Sequence, residues 1–262
     1  MAVDSDLNKS VTRAMSILDQ FTLEKPGLNP AEISQGAGLS KSTTHRLLAT
    51  LESAQILQLD KKSGRYTLGL KAFRLGTVVS RSMELIRQAD LLLWNLAENT
   101  DETFYLLVAD GHETLCLRRF EPDNPLRRTT IVEAGAHSAF NCGGAQRVLL
   151  AHLPEKKWEE IVAHHLRRLT EFSLVSRDDL ERDRREILER GYAVSWEDVA
   201  LHACAFGAPV RDYSGAVVAA LSVGGTVQGF SVGRLPELVR LIIDLAAELS
   251  RAIGYQPAAG KA

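Results

Sequence analysis

The chain has few residues of the types that mark specialised classes of protein. Its 262 residues include only three cysteines, three tryptophans and three methionines. The cysteines are widely spaced and none belongs to a CxxC pair, so the sequence predicts neither a disulfide framework nor a zinc module. No apolar run approaches the ~18 residues of a membrane span, and MAVDSDLNKS lacks a signal-peptide core. We therefore expect a cytoplasmic protein with no membrane partner.

Strong charge of either sign is also missing, but the charge is unevenly distributed. The formal net charge is −2. Residues 1–75 hold ten Lys and Arg against seven Asp and Glu, whereas the remainder holds 21 against 26. A mildly basic N-terminal segment followed by an acidic remainder predicts two parts with different partners. The first part is suited to binding nucleic acid.

The first part of the chain predicts short helices followed by a hairpin. SVTRAMSILDQF has a helical apolar stripe with Ser10 as its expected N-cap. PAEISQGA predicts a helix that begins at Pro30. Gly38 permits a tight turn, and Ser40 is a suitable N-cap for the next helix. ILQLDKKSGRYTL alternates around a turn with Gly64 at the positive-φ position, which is typical of a hairpin.

The helix that follows Ser40 carries the pattern of a DNA-reading helix. On a helical wheel the leucines and Thr44 share one face, while small, hydrogen-bonding and cationic side chains lie opposite. A helix enters the major groove only if its outward side chains are not bulky, and Arg binds guanine bidentately. The hairpin adds a basic wing. The candidate DNA-binding residues are Lys41, Ser42, Thr43, Thr44, His45, Arg46, Lys61, Lys62 and Arg65. The alternative is a capped surface helix with no such role.

The rest of the chain alternates between helical and strand patterns. The pattern is helical from Lys71 to about Asn99 and predicts a linker helix, with the domain boundary, at about 71–89. TFYLLVAD, ETLCLRRF, TTIVEAG, YAVSWEDV, ACAFGAPVRD and AVVAALSVGG predict strands. Between them, SRDDLERDRREILERG predicts a helix capped by Ser176 and ended by Gly191, and a long amphipathic helix closes the chain. The pattern predicts an α+β domain.

The segment NCGGAQRVLLAHL predicts an anion site. It places Asn141, Cys142, Gly143 and Gly144 at a helix start, where free backbone N–H groups and the helix dipole attract a carboxylate. The alternative is that the glycines serve helix packing. Arg127 and Arg128 offer either a second anion contact or an exposed loop pair.

Two other chemistries remain as alternatives. Cys142 at a helix N-terminus is a candidate nucleophile, so the chain could be a cysteine-dependent hydrolase or acyltransferase with an accessory helix-turn-helix. His137, Cys142, His202 and Cys204 would form a metal site only if two loops converge, and their spacing is not that of a strong metal motif. We expect no enzyme activity, no cofactor and no metal.

Several of these segments together resemble the IclR family of bacterial transcriptional regulators. The resemblance rests on GLSKSTTHRLLATL, YTLGLKAFRLG, GAHSAFNCGGAQRVLLAHLP, ILERGYAVSWEDV and GAPVRDYSGAVVAALSVGG. It implies a winged helix-turn-helix domain at residues 8–76, a linker helix at 77–90, and a GAF-like effector-binding domain with an antiparallel sheet at 91–256. It also implies homodimers or homotetramers on palindromic double-stranded operators.

The same resemblance implies a pocket for a small organic effector. Its residues would be Phe140, Asn141, Cys142, Gly143, Gly144, Ser195, Cys204, Ala205, Ser222 and Gly224, with backbone N–H groups of the two glycines holding an acid. Phe140 and Trp196 would favour an apolar or aromatic ligand. Gln146 stands where a lysine is common in the family, which removes one positive charge. The expected function is a repressor controlled by a carboxylic or aromatic acid of a catabolic pathway.

Overall fold

The computed structural model describes residues 8–122, 132–230 and 233–257, which fold as two compact units. The division falls between Met83 and Glu84. The segment 77–90, expected to form the linker helix, is helical on both sides of Met83 and interrupted there. Helix α4, Leu70–Ser82, belongs to the first unit, and α5, Glu84–Glu98, belongs to the second. Met83 has extended backbone angles, φ −83° and ψ 108°, which interrupt the helical hydrogen bonds.

The first unit contains the predicted helices and hairpin and one further strand. In chain order it consists of α1 (Lys9–Leu18), β1 (Gly27–Leu28), α2 (Pro30–Gly36), α3 (Lys41–Ser53), β2 (Leu57–Asp60), β3 (Arg65–Leu68) and α4. The strands form an antiparallel sheet in the order β1-β3-β2. The short strand β1 was not predicted. Asn8, not Ser10, caps α1 by accepting hydrogen bonds from Ser10 N and Val11 N.

The core of the first unit fixes which face of α3 is exposed. Leu48 and Leu51 of α3 are buried together with Ile17 of α1 and Ile33 of α2. Gly38 has φ +63° in the turn between α2 and α3, a backbone conformation that glycine adopts without steric cost. The opposite face of α3 is consequently turned away from the core.

The second unit is an antiparallel sheet between helices. Its elements after α5 are β4 (Thr103–Asp110), β5 (Glu113–Phe120), β6 (His137–Ser138), α6 (Gly144–His152), α7 (Glu155–His164), α8 (Arg177–Arg190), β7 (Ala193–Trp196), β8 (Ala203–Arg211), β9 (Val217–Thr226) and α9 (Leu235–Ala252). The strand order is β6-β5-β4-β9-β8-β7. The segment TTIVEAG was predicted to form a strand. Its described residues, 132–135, form none, and β6 begins only at His137. Arg127 and Arg128 lie outside the described residues.

Successive side chains of each strand point to opposite faces of the six-stranded sheet. Helices cover both of these faces. Phe104 and Leu106 of β4 pack in a cluster with residues of α5 and α9. Tyr105 and Leu107 belong to a second cluster with residues of α6, α7 and α8. This arrangement confirms the predicted α+β class. None of the described helices is long and apolar enough to cross a bilayer.

Candidate nucleic-acid interface and ligand pocket

The start of α3 is built as predicted around Ser40. The Ser40 hydroxyl accepts a hydrogen bond from Thr43 N at 3.3 Å and donates one to Thr43 Oγ1 at 2.9 Å. The Ser42 hydroxyl lies 3.2 Å from the Ser40 hydroxyl. The cap therefore places two further hydroxyl groups at the helix N-terminus, where phosphate oxygens are favourable partners.

The outward face of α3 is polar and cationic. Lys41, Ser42, His45, Arg46 and Ala49 are exposed. Within the described part of the chain, the side chains of Lys41, His45 and Arg46 form no hydrogen bond or ion pair. Because its guanidinium is not engaged inside the unit, Arg46 is available for bidentate contact with a guanine edge.

The prediction that Thr44 contacts DNA is wrong. Its side chain is fully buried, and Oγ1 donates to the carbonyl oxygen of Ser40 at 3.1 Å. A side chain inside the core cannot contact a base, so Thr44 supports the fold of α3 rather than its surface.

The hairpin turn presents two free lysines. Asp60 holds the turn by accepting hydrogen bonds from Lys62 N at 2.9 Å and from the Ser63 hydroxyl at 2.6 Å. These hydrogen bonds, the one from Ser63 first, lower the pKa of Asp60. Gly64 has φ +68°, as expected. Lys61 and Lys62 are exposed and form no ion pair with any described residue.

Arg65, the third predicted wing residue, has partners inside the unit. Nη1 donates to the carbonyl oxygen of Gly27 at 2.6 Å and lies 3.2 Å from Glu32 Oε2. Arg65 therefore attaches the hairpin to β1 and to the first turn of α2. Its charge is offset by Glu32, unlike the charges of the two lysines.

The second unit contains a narrow pocket at the start of α6. Its free volume is about 30 Å³, well below the ~300 Å³ at which typical small-molecule sites begin, so a ligand would have to move its lining apart. Seven of the ten predicted ligand-binding residues line it: Gly143, Gly144, Ser195, Cys204, Ala205, Ser222 and Gly224.

The other three predicted residues do not line this pocket. Phe140 is fully buried in the cluster beneath α6. The Asn141 amide donates to the carbonyl oxygens of Arg167 at 2.7 Å and Leu174 at 2.8 Å. The Cys142 thiol donates to Arg167 O at 3.5 Å. Asn141 and Cys142 therefore fasten the segment that follows α7.

Cys142 also lacks the properties of a nucleophile. Its side chain is 1% exposed, and burial, the largest cause, raises the pKa of the thiol. Nucleophilic cysteines instead have a lowered pKa in an accessible, electropositive setting. The cysteine-dependent hydrolase or acyltransferase thus loses its candidate catalytic residue.

The predicted anion donors have an internal partner that the sequence did not reveal. Gly143 N donates to Asp198 Oδ2 at 3.3 Å, and the Ser195 hydroxyl donates to Asp198 Oδ1. Asp198 is 2% exposed, and Arg147 Nη1 donates to its Oδ2 at 3.0 Å. Arg147 also pairs with Asp183 of α8. The Asp198 carboxylate of the chain itself therefore occupies the Gly143 N–H, one of the two backbone donors predicted to hold an acid.

The second glycine of the pair is needed for close packing. A Cβ on Gly144 would lie 2.8 Å from Gly207 N and 2.9 Å from Phe206 C. A Cβ on Gly207 would lie 2.3 Å from Gly144 C. The two glycines let α6 begin directly on strand β8, so packing accounts for Gly144 whether or not it also contacts a ligand.

Sequence reasoning missed part of the lining. The alternation of β4 places two apolar side chains on this face, and Gln146 is held by a hydrogen bond from its Nε2 to the Ser138 hydroxyl at 3.1 Å. Trp196, by contrast, is 38% exposed and lies in a separate groove beside α9. No charged side chain is among the described residues that line the pocket. The additional lining residues are Tyr105, Leu107, Val132, Gln146, Val199 and Ala203.

The loops do not bring together the metal ligands considered from the sequence. His137 Nε2 lies 2.8 Å from Asp110 Oδ2, and His202 is exposed beside Glu197. Cys142 and Cys204 are buried. Over residues 8–122, 132–230 and 233–257, these four residues do not form a cluster of metal ligands.

A helix-turn-helix with a basic wing, followed by an α+β unit with a narrow pocket, defines a class of protein: the DNA-binding transcriptional regulators. Residues 10–61 match the model of the IclR helix-turn-helix domain, and residues 77–251 match that of the bacterial transcriptional regulator IclR C-terminal domain. The chain belongs to the IclR family of bacterial transcriptional regulators. The resemblance seen in the sequence is confirmed.

Individual proteins agree with this assignment. The chain is 31% identical over 261 residues to the HTH-type transcriptional regulator BhcR of Paracoccus denitrificans, covering 99% of this chain and 92% of that protein. It is 27% identical to the transcriptional repressor IclR of Escherichia coli, over 94% of this chain and 90% of that one. An IclR homologue of Microbacterium hydrocarbonoxydans, solved in complex with 4-hydroxybenzoate, has the same fold. Its TM-score is 0.80 at 21% identity, over 93% of this chain and 98% of that one.

These relatives settle the choice between regulator and enzyme. They are named as transcriptional regulators, and the two family models cover both units of the chain. The chain is a regulator and not an enzyme, and the hydrolase or acyltransferase is unsupported.

Proposed function

We propose that the chain is a repressor that binds a palindromic operator as a homodimer or homotetramer and is controlled by a small organic acid. Residues Lys41, Ser42, Thr43, His45 and Arg46 would contact the operator, with Lys61 and Lys62 on the flanking backbone or minor groove. A regulator of bacterial transcription meets its operator in the cytoplasm, so the proposal locates the chain there. The sign of regulation is supported by the relationship to the Escherichia coli repressor.

The observation that carries this proposal is the free cationic surface of the first unit. Arg46 and His45 of α3 and the lysines of the turn are exposed without internal partners among the described residues. More than half of the other arginines in the described ranges, including Arg65, are paired with carboxylates. Unpaired cations beside a helix N-terminus are suited to a polyanion.

Assembly into dimers is supported by α4. This helix buries none of its residues within its unit, although it carries several large apolar side chains. Phe73 is 75% exposed and Val78 is 62% exposed. A second copy would cover these side chains, and a two-fold assembly presents its two α3 helices to a palindrome. The exposed apolar residues of α4 are Leu70, Phe73, Leu75, Val78 and Val79.

The nature of the effector is supported by the pocket. Gly144 N is at the first turn of α6, where backbone N–H groups have no partner within the helix. It would donate to a carboxylate, while Leu107, Val132 and Tyr105 would contact an apolar or aromatic body. The 4-hydroxybenzoate complex of a protein with the same fold supports an aromatic acid.

The proposal is tested by capturing fragments of bacterial genomic DNA with the purified chain, with and without added organic acids. 4-Hydroxybenzoate is the first acid to try. We expect a recovered palindrome whose occupancy changes with one acid and which the Arg46→Ala variant enriches less strongly. No enrichment at moderate salt would contradict the DNA-reading role of α3. A recovered palindrome that no tested acid affects would contradict the effector part alone.

A further inference from the structure

A second site lies in the second unit, in a cleft away from the pocket at α6. Four of the chain's seven histidines line this cleft, and none of them lines the pocket at α6. They come from the turn between β4 and β5, from β6 and from the end of α7. The residues that line it are Asp110, His112, Glu113, His137, His164, His165, Leu166 and Arg167.

Three residues of this region lie close enough to share an ion. His112 Nε2 is 2.7 Å from Glu160 Oε1. The rings of His112 and His165 stack, with centroids 4.2 Å apart and planes at 14°. One ligand atom from each of His112, Glu160 and His165 lies within 4.8 Å of the other two.

We propose that His112, Glu160 and His165 form a binding site for a divalent transition-metal ion, with Zn²⁺ as the expected occupant. Two imidazoles and one carboxylate are a ligand set that suits Zn²⁺, and solvent can complete the coordination. Zinc–ligand bonds of ~2.0–2.2 Å at tetrahedral angles place ligand atoms about 3.3–3.6 Å from one another. A metal lies in the plane of each imidazole that binds it, so one of the two stacked rings must turn out of the stack. The exposed side chain of His112 has the freedom to do so.

The surrounding charges favour a cation. The cleft and its edge carry the carboxylates Asp110, Glu113 and Glu160. Arg167 pairs with Glu113 at 2.6 Å, and Lys157 pairs with Glu160 at 3.1 Å. Asp110 lies 2.8 Å from His137, so among the described residues of this cleft three carboxylates stand beside two permanent cations. Displacing Lys157 from Glu160 costs little, since exposed ion pairs contribute weakly.

The ion would connect two elements that are distant in the sequence. His112 is in the β4–β5 turn, whereas Glu160 belongs to α7 and His165 follows it. Trp158 and Ile161 anchor α7 in the core beneath the sheet. A ligand that binds only the folded state stabilises it, so Zn²⁺ should raise the melting temperature of the second unit.

The experiment uses the full chain, freed of metal with a chelator. Zn²⁺ binding is measured by calorimetry, Co²⁺ binding by its visible absorption, and melting by circular dichroism. We expect one saturable site per chain. His112→Ala and His165→Ala should each weaken binding by at least about tenfold, since even residues that only support a ligand have effects of this size. The matched control is His202→Ala, an exposed histidine beside Glu197 at 3.6 Å, which should leave affinity unchanged.

Two results would overturn the proposal. One is the absence of saturable Zn²⁺ and Co²⁺ binding by the wild-type chain. The other is equal binding by wild type, His112→Ala and His165→Ala, which would place the ion elsewhere, for example on the cysteines. If an alanine variant loses its native circular dichroism, Glu160→Gln decides instead, because it keeps the size of the side chain and removes the charged ligand. DNA binding is not a readout in any of these measurements.

Discussion

Arg46 is the residue on which the reading of DNA sequence depends most directly. Its side chain is exposed on α3 and has no partner among the described residues. If it binds a guanine bidentately, Arg46→Ala should reduce the free energy of specific binding by ~1–3 kcal/mol and relax the preference at one base pair of each half-site. Fluorescence anisotropy with an operator and its single-base-pair substitutions measures both effects.

The control for this prediction removes the same charge from the second unit. Arg185 is exposed on α8, so Arg185→Ala changes the net charge equally without altering α3. It should leave the base preference unaltered. A full loss of affinity in Arg46→Ala with every base preference retained would assign Arg46 to a phosphate instead of a base.

Thr44 yields the opposite prediction, although it is the next-but-one neighbour of Arg46. Its hydroxyl bonds to the Ser40 carbonyl within the core, so Thr44→Val should keep the operator affinity and base preference. The free energy of unfolding should change by about 1 kcal/mol or less, the net contribution of one hydrogen bond. Anisotropy and thermal melting of the same sample test the two statements. A changed base preference would return Thr44 to the DNA surface.

At the scale of single elements, sequence-based prediction succeeded where the contact that fixes an element joins residues close together in the sequence. Ser40 caps α3 and Ser176 caps α8, with both bonds formed three residues along the chain. Such contacts are visible in a short window of sequence. The hydrogen bond from Gly143 to Asp198 joins residues 55 apart, and no periodicity predicts it. The same limit explains why Asn141 and Cys142 were assigned to the pocket instead of the segment after α7.

The contact between α6, α8 and the Asp198 loop should be a main determinant of the second unit's stability. Arg147, Asp183 and Asp198 are each less than a tenth exposed. Asp198→Asn removes one charge of this buried network and should lower the free energy of unfolding by about 3 kcal/mol, near the lower end for a broken buried pair, because Asp183 remains. Urea unfolding followed by tryptophan fluorescence reports this unit alone, since Trp94, Trp158 and Trp196 all lie in it.

An exposed ion pair on α8 provides the comparison for Asp198. Glu186 lies 3.5 Å from Arg190 and is half-exposed. Glu186→Gln should change the unfolding free energy by less than about 1 kcal/mol, since solvent screens such pairs. Equal effects of the two substitutions would show that the buried network does not stabilise the second unit more than an ordinary surface pair.

For the whole molecule, the two units differ in what they leave exposed. The first unit has unpaired cations on α3 and the hairpin turn, and large apolar side chains on α4. The second unit has most of its arginines in ion pairs. Large contiguous apolar surfaces are uncommon on monomers and indicate interfaces. The exposed surface of α4 is thus the place where assembly is best tested.

Phe73 is the largest apolar side chain exposed on α4, and Phe73→Asp should weaken self-association. A charge buried in a dimer contact without a partner is strongly unfavourable. Sedimentation velocity should show a smaller species at micromolar concentration, and cooperative binding to a two-half-site operator should be lost while binding to one half-site persists. Leu188→Asp is the control, because Leu188 is similarly exposed, at 52%, on α8. If both variants sediment like the wild type, α4 does not hold the copies together, and the paired α3 helices must be positioned by contacts of the second unit.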